Sequence, residues 1–213
     1  MKKLLIVGDR GQGRAVLDCA LSTKEYSKIA FLVDHDIDKT TLRFDNVEYY
    51  CEKDADLGYL AKKYKNLIVA EADNALRLQK IDYYKGLGFN IVSLIHSSAV
   101  VSKYTVIGEG TVVFANASIN ICSEIGRGCI INTKANVDHD SKLADGVHLS
   151  PGVSMGGYVE IGENTWIGVG ASVRSKIQIG KNTMIGMGSV VTKSVGDNVV
   201  AYGSPCKVIR ENN

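Results

Sequence analysis

An aliphatic residue stands at every sixth position through the second half of the chain: Ile95, Val101, Ile107, Val113, Ile119, Ile125, Ile131, Val137, Leu143, Leu149, Met155, Ile161, Ile167, Val173, Ile179, Ile185 and Val191. Ile, Leu, Val and Met make up 61 of the 213 residues, so an unbroken run of this length in a given register has a chance probability on the order of 10⁻⁹. Counting each aliphatic position as i, residue i+4 is mostly small or β-branched, as at Ala99, Thr111, Ala117, Cys129, Ala135, Val147 and Ala171. Positions i and i+4 then point inward from a short strand, i+5 and i+1 point outward, and i+2 with i+3 make a bend. Three such faces close a triangular coil, and the run makes between five and six stacked coils, a prism roughly 27 Å tall at ~4.8 Å per parallel rung. Glycine at i+1, as in Gly108, Gly126, Gly162, Gly168, Gly180 and Gly186, is expected to leave room for tight corners. A helix is excluded, because a period of six does not keep one helical face apolar.

Residues 1–94 follow another pattern, of alternating strand and helix. Strands are expected at Lys3–Val7, Ile29–Val33, Leu67–Ala70 and Asn90–Leu94, and helices at Arg14–Leu21, Ala55–Tyr64 and Asn74–Gly86. This is a small parallel, Rossmann-like α/β domain over residues 1–94, followed by a parallel β-helix over 95–213. The composition changes at the same place: 6 of 22 glycines precede residue 95 and 16 follow it.

Charge narrows the partners. The net charge is +2, from 25 basic and 23 acidic residues spread evenly over both parts, so no basic stripe is left for nucleic acid. The apolar run Leu4–Val7 is too short for a signal peptide core or a membrane span, and a cytoplasmic location with no membrane is expected. Five cysteines, Cys19, Cys51, Cys122, Cys129 and Cys206, have no CxxC spacing and read as free thiols.

The first strand runs into Gly8-Asp-Arg-Gly11-Gln-Gly13 and then a helix, an arrangement that presents backbone N–H groups to a phosphate. The spacing is GxxGxG and not the dinucleotide GxGxxG, so a tight turn with no ligand also fits. Asp34 closes the second strand, where an acid commonly binds a ribose hydroxyl or merely caps a loop. The space suits a nucleotide-linked substrate better than a full NAD site.

Of the four histidines, His35 and His96 lie in or near loops and are assigned no role. His139 falls at a corner of the prism, flanked by Asp138 and Asp140; it is either a solvated polar corner or a general base oriented by an acid. His148 is half a coil further on, so the two imidazoles can meet only between two prisms packed side by side. One coil beyond His139 lies Gly157, whose N–H could receive an oxyanion. Pro151, Val169, Met187 and Pro205 form an uncharged edge suited to a pantetheine arm, and Trp166, one coil after His148, is an interface aromatic or a cover for that arm.

The segments Asn132-Thr-Lys-Ala-Asn-Val-Asp-His139-Asp140, His148-Leu-Ser-Pro151-Gly152, Gly156-Gly157-Tyr-Val-Glu-Ile-Gly162 and Gly203-Ser-Pro205-Cys-Lys207 carry a resemblance. With the Gly8–Gly13 turn, Phe31-Leu-Val-Asp34, Asp73-Asn74-x-x-Arg77 and Leu94-Ile-His96-x-Ser-Ala99, they make the chain similar to the sialic acid O-acetyltransferase / UDP-N-acetylbacillosamine N-acetyltransferase family of hexapeptide-repeat sugar acetyltransferases. The resemblance implies a left-handed β-helix, a homotrimer, acetyl-CoA bound between subunits and a nucleotide sugar held by the N-terminal domain. It implies His139 as base and Asp140 as the acid that raises its basicity. His148, Gly157, Val169 and Met187 would contact acetyl-CoA, and Arg10, Gly11, Gln12, Asp34 and Ala72 the nucleotide sugar.

This chain departs from the family's usual pattern at Gln12, at Val33-Asp34 and at Glu71–Asn74, all on the expected nucleotide pocket. The expected reaction is direct acetyl transfer to the amine of a nucleotide-linked amino sugar of the UDP-4-amino-sugar type, in glycan biosynthesis. The alternatives are O-acetylation of a sugar such as sialic acid, and a binding protein that keeps the prism without chemistry. A zinc hydratase on the same prism would need three imidazoles, which the β-helix does not supply, so no metal is expected.

Overall fold

The computed structural model describes residues 2–37 and 44–212. Strands β1 (Lys2–Val7), β2 (Tyr26–Val33), β3 (Val47–Cys51), β4 (Asn66–Val69) and β5 (Asn90–Ile91) pair in parallel in the order β3-β2-β1-β4-β5. Helices α1 (Gly11–Thr23), α2 (Leu57–Tyr64) and α3 (Asn74–Gly86) cover the sheet. Alternate residues of β1 serve opposite faces: Leu4 and Ile6 pack with Val16 and Leu17 of α1, Leu5 and Val7 with Leu60 of α2 and Ile81 of α3. Burial on both faces explains why this strand is a continuous apolar run. The strand order reverses between β1 and β4, and a crevice opens beyond their carboxyl ends, where such sheets take ligands.

Two of the three turn glycines answer to sterics. Gly8 has φ +93°, and a Cβ on Gly13 would stand 2.1 Å from the Gly8 carbonyl oxygen, so only glycine lets α1 rise directly off β1. Gly11 has open space around its Cα.

Several element boundaries differ from expectation. Helix α1 begins at Gly11, before Arg14, and α2 at Leu57, where Asp56 caps it by accepting the Tyr59 N–H at 3.0 Å. The expected strand Asn90–Leu94 is divided: Asn90–Ile91 ends the first sheet, and Leu94–Ile95 is the first rung of the coil. The crossing is held by Ser93, whose hydroxyl donates to the Gly108 carbonyl at 2.7 Å. Strand β3 was not expected; its Tyr49 and Tyr50 are half-buried and give no alternation to read.

From β6 (Leu94–Ile95) to β22 (Val190–Val191), a two-residue strand ends on every aliphatic position of the series. The strands stack as three parallel sheets around one apolar interior. The period fails after Val191 because the last coil is shorter: Ile179 bridges Val195 and Ile185 pairs with Ala201, each 16 residues on. The chain then ends in β23 (Val199–Tyr202) and the antiparallel β24 (Lys207–Glu211), which covers that strand's edge.

The role expected for glycine at i+1 needs correction. The left-handed bend falls at i+3, as at Asn116, Asp140, Asn164, Gly128 and Gly170. Glycine at i+1 answers instead to the closeness of successive coils: a Cβ on Gly108 would lie 2.6 Å from the carbonyl carbon of Gly126.

The first sheet's helices dock on one side of the prism. Leu94, Val112, Phe114 and Ile130, outward on their rungs, join the cluster beneath α1. Arg77 of α3 is 1% exposed and reaches the corner carbonyls of Gly128 at 2.6 Å and Gly146 at 2.9 Å.

Because stability resides in the inward column, Ile131→Ala is expected to cost about 2–5 kcal/mol. Glu124→Ala, which removes an exposed pair with Lys142, should cost under about 1 kcal/mol. Denaturant melts of the two variants check this ordering.

Candidate active site

The corner after Asn136–Val137 carries His139. The Asp138 carboxylate accepts the His139 backbone N–H at 2.8 Å and the Asn120 side-chain amide at 2.7 Å. The Asn120 amide first, then the His139 backbone N–H, hold the Asp138 carboxyl below the usual carboxylate range. Asp140 takes the left-handed bend with φ 56°, which a short polar side chain tolerates, and its Oδ2 lies 2.7 Å from His139 Nδ1. With Nδ1–H donating to that carboxylate, Nε2 carries the free lone pair.

The ring leans toward the next coil. A Cβ on Gly157 would lie 2.7 Å from both Cε1 and Nε2 of His139, so any side chain there would displace the ring. The Gly157 N–H donates to no acceptor among the described residues, while its carbonyl accepts from Lys176. Cys122, one coil before Asp140, is exposed and stands on the side away from which the ring leans. All five cysteines are free.

His148 stands outward on its rung, yet it is 5% exposed. Trp166, one rung on, stacks over it at 5.0 Å with planes 12° apart, and the indole N–H donates to Ser150 Oγ at 2.7 Å. The Asn132 amide donates to His148 Nε2 at 3.4 Å, which leaves the ring proton on Nδ1; that nitrogen is buried with no partner among the described residues. Burial, and secondarily the Arg77 charge, push the His148 pKa down to about 3, so the ring is neutral. His139 follows a rung of the six-stranded sheet and His148 sits on the eight-stranded one, so the structure does not bring them together within one chain. Val169 and Met187 are 49% and 77% exposed on a common edge with Pro151.

At the switch point of the first sheet lies a cavity of about 310 Å³ that brings together Arg10, Gly11, Gln12, Asp34 and Ala72. It is bounded by the first turn of α1, where Arg10 makes no side-chain cap and the leading N–H groups face an incoming anion. Glu52 and Lys80 also line it and were missed by sequence reasoning; Glu71, which the departure from the family pattern placed on the expected pocket, lines it too. Glu71 is the second residue after β4, in a loop that the switch-point rule marks. Its Oε1 accepts the Ala72 N–H at 2.9 Å and its Oε2 pairs with Lys80 at 3.0 Å. His35, given no role from sequence, bonds Asp9 at 3.0 Å beside this cavity. Among the described residues no three His, Cys, Asp or Glu cluster as a metal site, and no helix is long and apolar enough to cross a membrane.

A doubly wound sheet joined to a prism of stacked six-residue faces defines a class, the hexapeptide-repeat transferases with an added α/β domain. Residues 3–84 match the family model "PglD N-terminal domain", and residues 158–193 match "Bacterial transferase hexapeptide (six repeats)". The UDP-N-acetylbacillosamine N-acetyltransferase of Bacillus subtilis (strain 168) is 37% identical over 118 residues, 54% of this chain and 52% of the relative, so the match spans about half of that protein's length. The acetyltransferase domain of PglB from Neisseria gonorrhoeae FA1090, solved with acetyl coenzyme A, superposes with a TM-score of 0.87 at 32% identity over 98% of this chain and 99% of that one. A mutant perosamine N-acetyltransferase from Caulobacter crescentus, solved with CoA and GDP-perosamine, gives a TM-score of 0.89 at 34% identity over 99% and 98%. The chain belongs to the sialic acid O-acetyltransferase / UDP-N-acetylbacillosamine N-acetyltransferase family of hexapeptide-repeat sugar acetyltransferases, and its prism is a left-handed parallel β-helix.

Neutral burial of His148 has a consequence for acid stability. The unfolded chain protonates this imidazole below its ordinary pKa of about 6.5, while the folded chain resists down to about 3. Stability is therefore complete above about pH 6.5 and falls as pH drops toward 3, with a slope from this group approaching ~1.4 kcal/mol per pH unit. In urea melts across this range, His148→Gln is expected to show a shallower loss than the wild type.

Proposed function

We propose that the chain transfers the acetyl group of acetyl-CoA to the amine of a nucleotide-linked amino sugar, by direct attack and without an acetyl-enzyme. In this reading residues 1–94 hold the nucleotide sugar and residues 95–213 perform the transfer. The protein works as a cytoplasmic homotrimer with sites between subunits, in glycan biosynthesis. The observation that carries the chemistry is the pairing of His139 Nδ1 with Asp140 at 2.7 Å, which leaves Nε2 as the base.

His139 removes the proton that the attacking nitrogen sheds as the new C–N bond forms, and Asp140 stabilises the resulting imidazolium. The Gly157 N–H, which has no partner among the described residues, supplies a donor to the oxyanion before the thiolate of CoA leaves. His148, Val169 and Met187 line the path of acetyl-CoA. Arg10, Gly11, Gln12, Asp34 and Ala72 hold the nucleotide sugar, its phosphates at the start of α1 and its ribose at Asp34. The family relatives support this reading: one is named for a UDP-linked amino sugar, and another is solved with CoA and GDP-perosamine.

The test is CoA release from acetyl-CoA in the presence of UDP-, dTDP- and GDP-linked amino sugars and of free sialic acid. Release with an amino-sugar nucleotide and none with sialic acid is expected; the reverse would make the protein an O-acetyltransferase. His139→Ala should lower kcat by roughly 10²–10⁴, about 3–5 kcal/mol of barrier, with the oligomer unchanged in light scattering. An unaltered kcat would remove His139 from the mechanism.

A further inference from the structure

The left-handed corner positions of the coil are filled mainly by glycine and asparagine, among them Asn116, Gly128, Gly152, Asn164, Gly170 and Asn182. Cys122, Lys134, Asp140, Tyr158 and Lys176 are neither, and of these Tyr158, with φ 60°, is the one aromatic. A bulky side chain in that region is sterically disfavoured, and burial does not compensate it here, because the residue is 52% exposed. Its contact is with His139. The two rings meet edge to face, 5.3 Å between centroids and 90° between planes, and the Tyr158 N–H donates to the His139 carbonyl at 3.0 Å.

His139 needs such a neighbour. Its side chain is 45% exposed, and the hydrogen bond to Asp140, itself 39% exposed, fixes one nitrogen but leaves the ring plane free to pivot about that contact. Gly157 makes room for the ring without walling it in, since a Cβ there would collide with it. The Tyr158 ring supplies the missing wall. We propose that Tyr158 is a positioning residue for His139: its ring holds the imidazole over the Gly157 backbone so that Nε2 keeps a single direction. The effect on turnover rests on the acetyl-transfer reading above; the hold on the ring does not.

Three variants test this. Asparagine and glycine both accept the backbone of this corner, so Tyr158→Asn and Tyr158→Gly should fold with melting temperatures equal to or above the wild type. Each is expected to lose about tenfold in kcat with KM for both substrates within about twofold, the mark of misorientation and not of lost binding. Tyr158→Phe, which keeps the ring, should retain wild-type kcat. Independently of any substrate, carbethoxylation of His139 by diethyl pyrocarbonate, followed by peptide mass spectrometry, should be faster in the Asn and Gly variants and unchanged in Phe. Wild-type kcat in Tyr158→Gly, or a Phe variant as slow as Gly, would overturn the assignment. If the wild type transfers acetyl to none of the amines, the functional reading fails, and the carbethoxylation rates alone decide the role of Tyr158: equal rates in wild type and Tyr158→Gly would overturn it.

Discussion

Successive coils are locked in register by backbone hydrogen bonds, such as Ile130 N–H to Val147 O at 2.9 Å and Gly168 N–H to Ile185 O at 2.7 Å. Each bond places a residue directly above the one a full coil earlier, about 4.8 Å away. The stacking of His139 on Gly157, of His148 on Trp166, and of Val169 below Met187 all follow from this one constraint. A slip of a single residue would turn the aliphatic column outward, so the register is enforced by the whole interior. The one shortened coil comes after these columns and breaks only the expected step from Met187 to Pro205, which counted 18 residues where the last coil has 16.

Arg77 ties the prism to the parallel sheet. Its guanidinium is buried, yet among the described residues no carboxylate bonds to it: Nη1 donates to the carbonyls of Glu71 at 3.0 Å and Ala72 at 3.2 Å, Nε and Nη2 to those of Gly128 and Gly146. Burial lowers its pKa to about 10, so it stays charged at neutral pH. The carbonyls of Glu71 and Ala72 belong to a wall of the 310 Å³ cavity, and Gly146 lies two residues before His148. One buried cation therefore fixes the height of the cavity wall against the coil and also disfavours a proton on His148.

The prism was legible because its period is a direct image of its interior: every inward position must be filled, so every rung declares itself in the chain. The edge strand β3 was not, since Val47–Cys51 packs half-exposed tyrosines that carry no alternation. In the site, the contact readable from sequence was the one between neighbours, His139 and Asp140. Gly157 was located by adding one coil, although its steric duty beneath the ring needed coordinates. The pairing of Asp9 with His35, the shielding of His148 and the partners of Arg77 join residues from separate elements, and nothing local in the chain announces them. Local reasoning failed where a side chain's environment comes from a different layer of the fold.

The positions of the exposed columns restrict how a site can assemble. The edge of Pro151, Val169 and Met187 and the corner of His139 border the same side of the prism, separated by one six-residue face, at most ~22 Å of extended chain. In the proposed reaction, an acyl donor lying along the first would have to span this face to bring its carbonyl to the second. The side between them presents Ser118, Asn136, Ser154 and Ser172 outward, short side chains that let another backbone come close. In the trimer proposed above, a neighbouring copy laid against this side would close a groove with His139 on one wall and the uncharged edge on the other. The same six-residue repeat that builds the core thereby sets the spacing that a neighbouring copy would bridge in the proposed reaction.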